Sequence, residues 1–435
     1  MAMGLDQQNS IPWRLICAGV LVLPLSPLLG GLAIITVCSW SWWREGRSHR
    51  QQPLTWSLAL LSLLLLLSAL QAEKTSTALL GLANFLPFIA IFIASRSLIQ
   101  HPQQRQQLAE AIALSSLPVA LIGLGQQYLG WHGPIHWGWL ISWQLEAGGT
   151  PPGRMSSVFG YANPLANFSV IAWTLSVGLT VQAWRTRPAH HPWPRAIWGW
   201  GGLVLANSLV LFATSSRNGW AVAIAIALTY AVLLGWRWLI AAVGAIAALI
   251  LGAAFGPPPL QSPLQQIVPR AIWARLNDDL YPNRPIETLR ISQWQFAWDL
   301  SQDRPIWGWG LRHFSHLYQD HSGQWLGHPH NLPLMLLAET GLPATLLLYL
   351  SVGWVCYRGV KHLTPLQPLR TQTNLIPLML LLAFAATTLF HLIDVTLFDA
   401  RINTLGWLLL AAIDPGETLP RHKIPQGEDL GVEHR

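Results

Sequence analysis

Thr214, Ser215, Ser216 and Arg217 close one apolar run and open the next, so a guanidinium is expected at the mouth of a short turn. Arginine binds phosphate oxygens through two parallel hydrogen bonds and keeps its charge at every physiological pH. Arg290, within the amphipathic stretch from Glu287 to Trp294, could approach the same place from above. Taken alone, each arginine is equally well a snorkelling side chain or half of a surface ion pair. His328, Pro329, His330 and Asn331 begin a later apolar run, with Glu339 and Gly341 two to three helical turns further on. An imidazole titrates near neutrality, so His330 at a helix start suits a general base toward a hydroxyl, although a capping role is commoner. No metal is expected from His328, His330 and Glu339, because positions nine apart do not share a helix face. Glu339 would cost about 2.5 to 3.5 kcal/mol if left unpaired in lipid, so it should face a polar cavity or a partner arginine. Asp394, Asp399 and Arg401, near His391, read first as structural ion pairs and second as lining of the same cavity. The stretch from Trp131 to Trp139, followed by Gly148, Gly149, Pro151 and Arg154, reads as an aromatic belt at a membrane interface.

These residues need a scaffold, and the composition names its solvent. Of 435 residues, 52% are hydrophobic and only 10% charged, with 25 Trp, which is too few charges to clothe a soluble globule of this length. The fold class expected is an all-α polytopic membrane protein of about 12 transmembrane helices, since lipid leaves helices as the natural spanning element. The net charge of +7 is not a nucleic-acid signal, because no basic cluster lies on an amphipathic helix with interleaved aromatics. Cys17, Cys38 and Cys356 all sit in apolar runs and suggest no disulfide framework.

Residues 1–256 read as transmembrane helices 1–9, with the first apolar segment retained and broken by Pro24 and Pro27 into two short spans. Residues 257–330 read as a large outer loop with amphipathic helices near 261–280 and 286–301, the second a lid with Trp294 and Trp298 toward the membrane. Residues 331–413 read as helices 10–12, and 414–435 as a disordered tail. Lys and Arg in short loops favour the cytoplasm. Arg44, Arg47, Arg50, Arg96, Arg105, Arg185, Arg187, Arg195, Arg358 and Lys361 then mark one side, which puts both termini in the cytoplasm and the 257–330 loop outside. If the first two spans were one, only the N-terminus would change sides.

The residues resemble the O-antigen ligase and polymerase superfamily of bacterial surface-polysaccharide enzymes, in a cyanobacterial-type branch. The resemblance rests on Ser215, Ser216 and Arg217 opening a span, on Arg290 to Ala297 followed by Asp303, Pro305, Gly308 and Gly310, and on His330, Asn331 and Gly341. Arg154 to Ala166, with Asn163 and Pro164, resembles the segment before the sixth span, and Asp394 with Arg401 to Trp407 the end of the chain. The ligase pattern closes in Gly-x-x-Gly, where this chain has Gly341 and then Ala344.

The resemblance implies transfer of a glycan from undecaprenyl diphosphate to a hydroxyl of a lipid or glycan acceptor, at the periplasmic face of the inner membrane and without cofactor or metal. Carried across, Arg217 and Arg290 would hold the diphosphate and His330 would orient or deprotonate the acceptor, with Arg154, Asn331, Glu339, Asp394 and Arg401 as supporting candidates. A Wzy-type polysaccharide polymerase shares this donor chemistry. An inorganic-anion transporter, of bicarbonate for example, is the rival from another class, and it should place its polar site near the midplane on broken helices.

Overall fold

The computed structural model describes residues 10–187, 194–277, 279, 285–363 and 372–414. Of the expected disordered tail 414–435, Asp414 is instead buried and paired with Arg96, and residues 415–435 lie outside the described residues. The chain is mostly helical, and among the described residues eight helical stretches, with Thr75–Leu98 taken as one, are long and apolar enough to cross a membrane by length and composition. A pair of helices opens the bundle, α1 (Ile11–Val22) and α2 (Pro27–Arg50), and the chain reverses between them where the prolines predict. Ser26 caps α2 by accepting from Leu29 N at 3.3 Å. Then follow α3 (Pro53–Leu70), α4 (Thr75–Gly81), a 3-10 turn at Leu82–Asn84, α5 (Leu86–Leu98) and α6 (Pro102–Tyr128). The expected fourth span is therefore two helices meeting at the turn before Pro87.

A hairpin of β1 (Gly133–Trp137) and β2 (Ile141–Leu145) separates α6 from α7 (Ala162–Arg185), α8 (Arg195–Thr214), α9 (Arg217–Leu234) and α10 (Arg237–Phe255). The segment after Gly256 holds α11 (Pro258–Ile267), α12 (Arg270–Leu276), α13 (Arg290–Asp303) and α14 (Phe314–Ser322), of which α14 is unforeseen in the sequence. The bundle ends with α15 (Leu332–His362), α16 (Gln372–Phe390) and α17 (Ala400–Ile413). Two of the shorter apolar helices, Leu375–Phe390 and Ala400–Ile413, fall among the expected last spans, and Ile11–Val22 is the third. The figure of 12 rests on adding these three and α2 to the eight.

Two features position the site. First, α15 is broken at Gly341 (φ 76°, ψ 172°), and the segment 305–310 fills the break. Trp309 N and Gly310 N donate to the Ala338 and Glu339 carbonyls at 2.9 and 2.8 Å, and Leu342 N donates to Pro305 O at 2.7 Å. Ser68 Oγ donates to Trp307 O at 2.6 Å, fixing this segment to α3. A Cβ at Gly341 would lie 2.2 Å from Ile306 O, and one at Gly308 2.5 Å from the Glu339 carbonyl carbon, so glycine is needed on both sides of the contact. Second, α13 and α14 have a small core of their own, in which Ala297, Leu300, Phe314 and Tyr318 pack against Ala338 of α15. The expected lid is thus docked on the broken helix.

Candidate functional site

His330 lies just before α15 and its backbone is left-handed (φ 54°), a conformation that non-glycine residues adopt at a cost. Asn331 follows as the helix cap, its Oδ1 accepting from Leu334 N at 2.9 Å and its Nδ2 donating to Leu392 O at 2.9 Å. This clamp between the start of α15 and the turn after α16 aims the His330 ring at the α16–α17 connection. There His330 Nδ1 donates to Asp394 Oδ1 at 2.8 Å. The carboxylate can only accept, so a proton sits on Nδ1, and in the neutral ring it is Nε2 that carries the lone pair.

Asp394 is buried and its two oxygens are well used. Oδ1 also accepts from Val395 N at 2.9 Å, and Oδ2 accepts from Asn163 Nδ2 near the start of α7. Burial alone would raise this carboxyl, but the His330 hydrogen bond, the electrostatic pull of the His330 and His328 rings and the Val395 amide outweigh it and hold Asp394 well below the usual carboxylate range. Asn163 Oδ1 in turn accepts from Arg154 Nη2 at 2.6 Å, and Arg154 Nε donates to Thr214 O at 2.8 Å. A continuous chain therefore runs from His330 through Asp394, Asn163 and Arg154 to the last residue of α8.

Arg217 stands three residues beyond that end. Ser215 takes the left-handed conformation (φ 49°) that stops α8, and Ser216 starts α9 by accepting from Gly219 N at 3.3 Å, which makes Arg217 the first residue of α9. Its neighbour Asn218 donates to Phe390 O at 2.8 Å, one residue before His391. Arg290 begins α13, and its positive charge is felt at His328. Burial pushes the His328 imidazole down to about 4, against the pull of Asp394. His391 is likewise pushed down to about 4 by burial, and its Nε2 faces the Thr396 hydroxyl at 3.0 Å, which Asn167 also reaches at 2.7 Å.

Of the sequence candidates, His330, Asp394 and Arg154 belong to one hydrogen-bonded network, with Asn331 clamping its edge and Arg217 and Arg290 on the adjoining helix starts. Two go elsewhere. Arg401 pairs with Asp399 at 2.5 Å, donates to Val158 O at 2.9 Å and stacks 3.8 Å from the Phe159 ring centre, a clamp at the start of α17. Asp399 and Arg401 thus form a structural ion pair, while Asp394 joins the network instead. Glu339 is met chiefly by backbone: Phe314 N donates to it at 3.1 Å, the amides of Arg312 and His313 face the same carboxylate, and the Arg312 charge is felt there. It holds the start of α14 against the break in α15.

Asn163 and His328 are the network members that the choice of site residues passed over. Asn163 was visible in the segment from Arg154 to Ala166, but only its contact with Asp394 shows its use. His328, His330 and Asp394 each offer a metal-ligating atom within 4.8 Å of the others. His328 Nδ1, however, accepts from His330 N at 3.2 Å, which puts its proton on Nε2, the atom that faces Asp394. That tautomer suits an electrostatic contact and would have to change before His328 could ligate through Nε2.

Two apolar clefts flank the network. One, lined by Leu211, Phe212, Trp220, Ile224, Ala227 and Val243, runs down α8, α9 and α10 beside the helix that Arg217 begins. The other lies beneath His391 between α15, α16 and α17.

Residues 202–349 match the family model described as O-Antigen ligase, which covers Arg217, Arg290 and His330. No curated protein matches the chain in sequence. The resemblance to the O-antigen ligase and polymerase superfamily is borne out by the match.

Proposed function

We propose that this chain, of which residues 202–349 match the O-antigen ligase family model, transfers a glycan from undecaprenyl diphosphate to an acceptor hydroxyl at the periplasmic face of the inner membrane. The observation that carries the reading is the 2.8 Å contact of His330 Nδ1 with Asp394, which fixes one tautomer of a histidine set next to two arginine-led helix starts. His330 Nε2 takes the proton of the acceptor hydroxyl as its oxygen bonds to the anomeric carbon. The bond from that carbon to the diphosphate oxygen breaks, and the leaving diphosphate carries the developing negative charge. Arg217 and Arg290 hold that charge, while Arg154 spans the gap between Thr214 and the Asn163 amide. The apolar cleft beside α9 suits the polyprenyl tail, since it runs along the helix that begins at Arg217.

A Wzy-type polymerase would use the same groups and differ in the acceptor alone. The transporter reading is favoured by the break in α15, because discontinuous helices are where transporters place their ligands. The backbone groups freed at this break are already taken by the 305–310 segment, which argues for the enzyme.

The test is transfer by purified protein in vesicles supplied with undecaprenyl-diphosphate-linked glycan and candidate acceptors. Arg217→Ala, Arg290→Ala and His330→Ala should each abolish product while the folded bundle persists. Unimpaired transfer by the Arg290 variant would take α13 out of the donor site, and anion uptake with no transfer by the wild type would favour the transporter.

A further inference from the structure

The hairpin between α6 and α7 has no part in the network above, yet its sequence and placement are specific. From Leu129 to Leu145 there is no Asp, Glu, Lys or Arg. The register pairs Gly133 with Leu145, Ile135 with Trp143 and Trp137 with Ile141, so all these side chains share one face of the ribbon. Pro134 with Gln144 and His136 with Ser142 make the other. One face is therefore apolar and the other carries nearly all the polar groups. On the apolar face Leu145 is buried, while Ile135 is 42% and Trp137 72% exposed, and Trp139 at the tip is also 72% exposed. An exposed ribbon of this kind is a liability in water, and a lone two-stranded hairpin is barely stable there.

Its attachment fixes its depth. Trp143 Nε1 donates to Leu25 O at 2.7 Å, and Ser26 Oγ donates to Leu140 O at 2.6 Å, so the hairpin is bonded to the α1–α2 turn. α1 has 12 residues and starts beside α6 at the end of the bundle opposite His330, where Trp13 Nε1 donates to Gln107 Oε1 at 2.6 Å. Twelve residues rise about 18 Å, whereas the hydrocarbon core is about 30 Å thick. The α1–α2 turn therefore stops short of the far boundary, and the hairpin stacked on it occupies the remaining depth. An apolar gap lined by Ile122, Trp131, Ile135, Trp143 and Leu145 lies between the ribbon and α6.

We propose that this hairpin is a membrane-seated element, lying in the headgroup and upper acyl region of the leaflet at the His330 end, with Ile135, Trp137 and Trp139 in contact with lipid. It stays at the boundary because the outer edges of a two-stranded ribbon have unpaired amides and carbonyls that need water or headgroups. Tryptophan favours that layer, where its ring is buried and its N–H remains solvated. The consequence is positional. The connection from Leu145 to Arg154 joins the hairpin directly to the network, so a ribbon fixed at the boundary sets the depth at which Arg154 and its partners meet a lipid-borne substrate.

Spin labels on the full chain in phospholipid vesicles test this. Cys17, Cys38 and Cys356 are free thiols and are first replaced. Labels at Trp139→Cys and Gln144→Cys are then compared by power saturation with oxygen and with a water-soluble nickel chelate. The label at 139 should relax more with oxygen than with nickel, and the label at 144 should show the opposite ratio. Photolabelling of the unsubstituted protein by a bilayer-confined carbene reagent should mark the 130–145 segment. Greater nickel access at 139 together with no carbene labelling would overturn the proposal. A label at 139 that faces water and is immobilised by added oligosaccharide would also overturn it, assigning the face to a glycan.

Discussion

At the scale of single residues, the His330 and Asp394 pair makes the sharpest claims. Asp394→Asn keeps the shape but offers an amide that can present a donor, which favours the wrong imidazole tautomer. Transfer should fall by roughly 10²- to 10⁴-fold, the range a positioned general base contributes, with donor affinity unchanged. A variant with wild-type turnover would show that Asp394 only braces the turn. Two half-buried imidazoles carry a second prediction. His328 and His391 ordinarily titrate near 6.5 and are pushed to about 4 in the folded protein, so the unfolded chain binds more protons between those values. Stability should therefore be full above about pH 6.5 and fall as pH drops toward 4. His391→Asn should flatten that decline in thermal unfolding of the detergent-solubilised protein, and an unchanged acid slope would contradict the assignment. Sequence could propose His330 because a histidine at a helix start is a local pattern. It could not pair His330 with Asp394, 64 positions away, because only the fold brings the α16–α17 turn under the start of α15.

At the scale of elements, the break in α15 and the segment that fills it form one unit. Gly341→Ala would force a side chain into a left-handed backbone and against Ile306 O, at a cost of about 1 to 3 kcal/mol for the backbone alone. The melting temperature should drop, and transfer should drop further because α13 loses its seat on α15. Normal transfer by a stably folded Gly341→Ala protein would separate the lid from catalysis. The Gly341 and Ala344 departure from the Gly-x-x-Gly pattern now has a physical setting: Gly341 is required by the 305–310 segment, while Ala344 is buried in the helix beyond the break. Glu339 was legible as a group that must be satisfied. Its partners were not, because backbone amides of a loop leave no signature in side-chain spacing. The same limit hid α14, which is only nine residues long, and the strand pairing within the expected aromatic belt.

At the scale of the whole molecule, the apolar runs and their breaks were readable because a helix in lipid must satisfy its own backbone. The end opposite His330 is tied by a different device. Asp414, with a fully buried side chain, pairs with Arg96 of α5 and lies 3.4 Å from Arg358 of α15, while Arg105 of α6 donates to its carbonyl at 3.0 Å. Asp414→Ala would strand buried guanidinium charge and should destabilise the bundle by about 3 to 5 kcal/mol, measured as a loss of thermal stability with little change in donor affinity. Several of these basic residues are also those that the positive-inside rule assigns to the cytoplasm, so one set of arginines would orient the chain and close its far end.

In the proposed reaction, two guanidiniums hold a lipid diphosphate where one oriented imidazole can act. Binding of undecaprenyl diphosphate to reconstituted protein, read beside single-turnover transfer, tests it most directly. His330→Ala should bind the diphosphate as tightly as the wild type and fail to transfer, whereas Arg217→Ala and Arg290→Ala should both lose binding. Undiminished diphosphate binding by both arginine variants would remove the guanidiniums from the donor site.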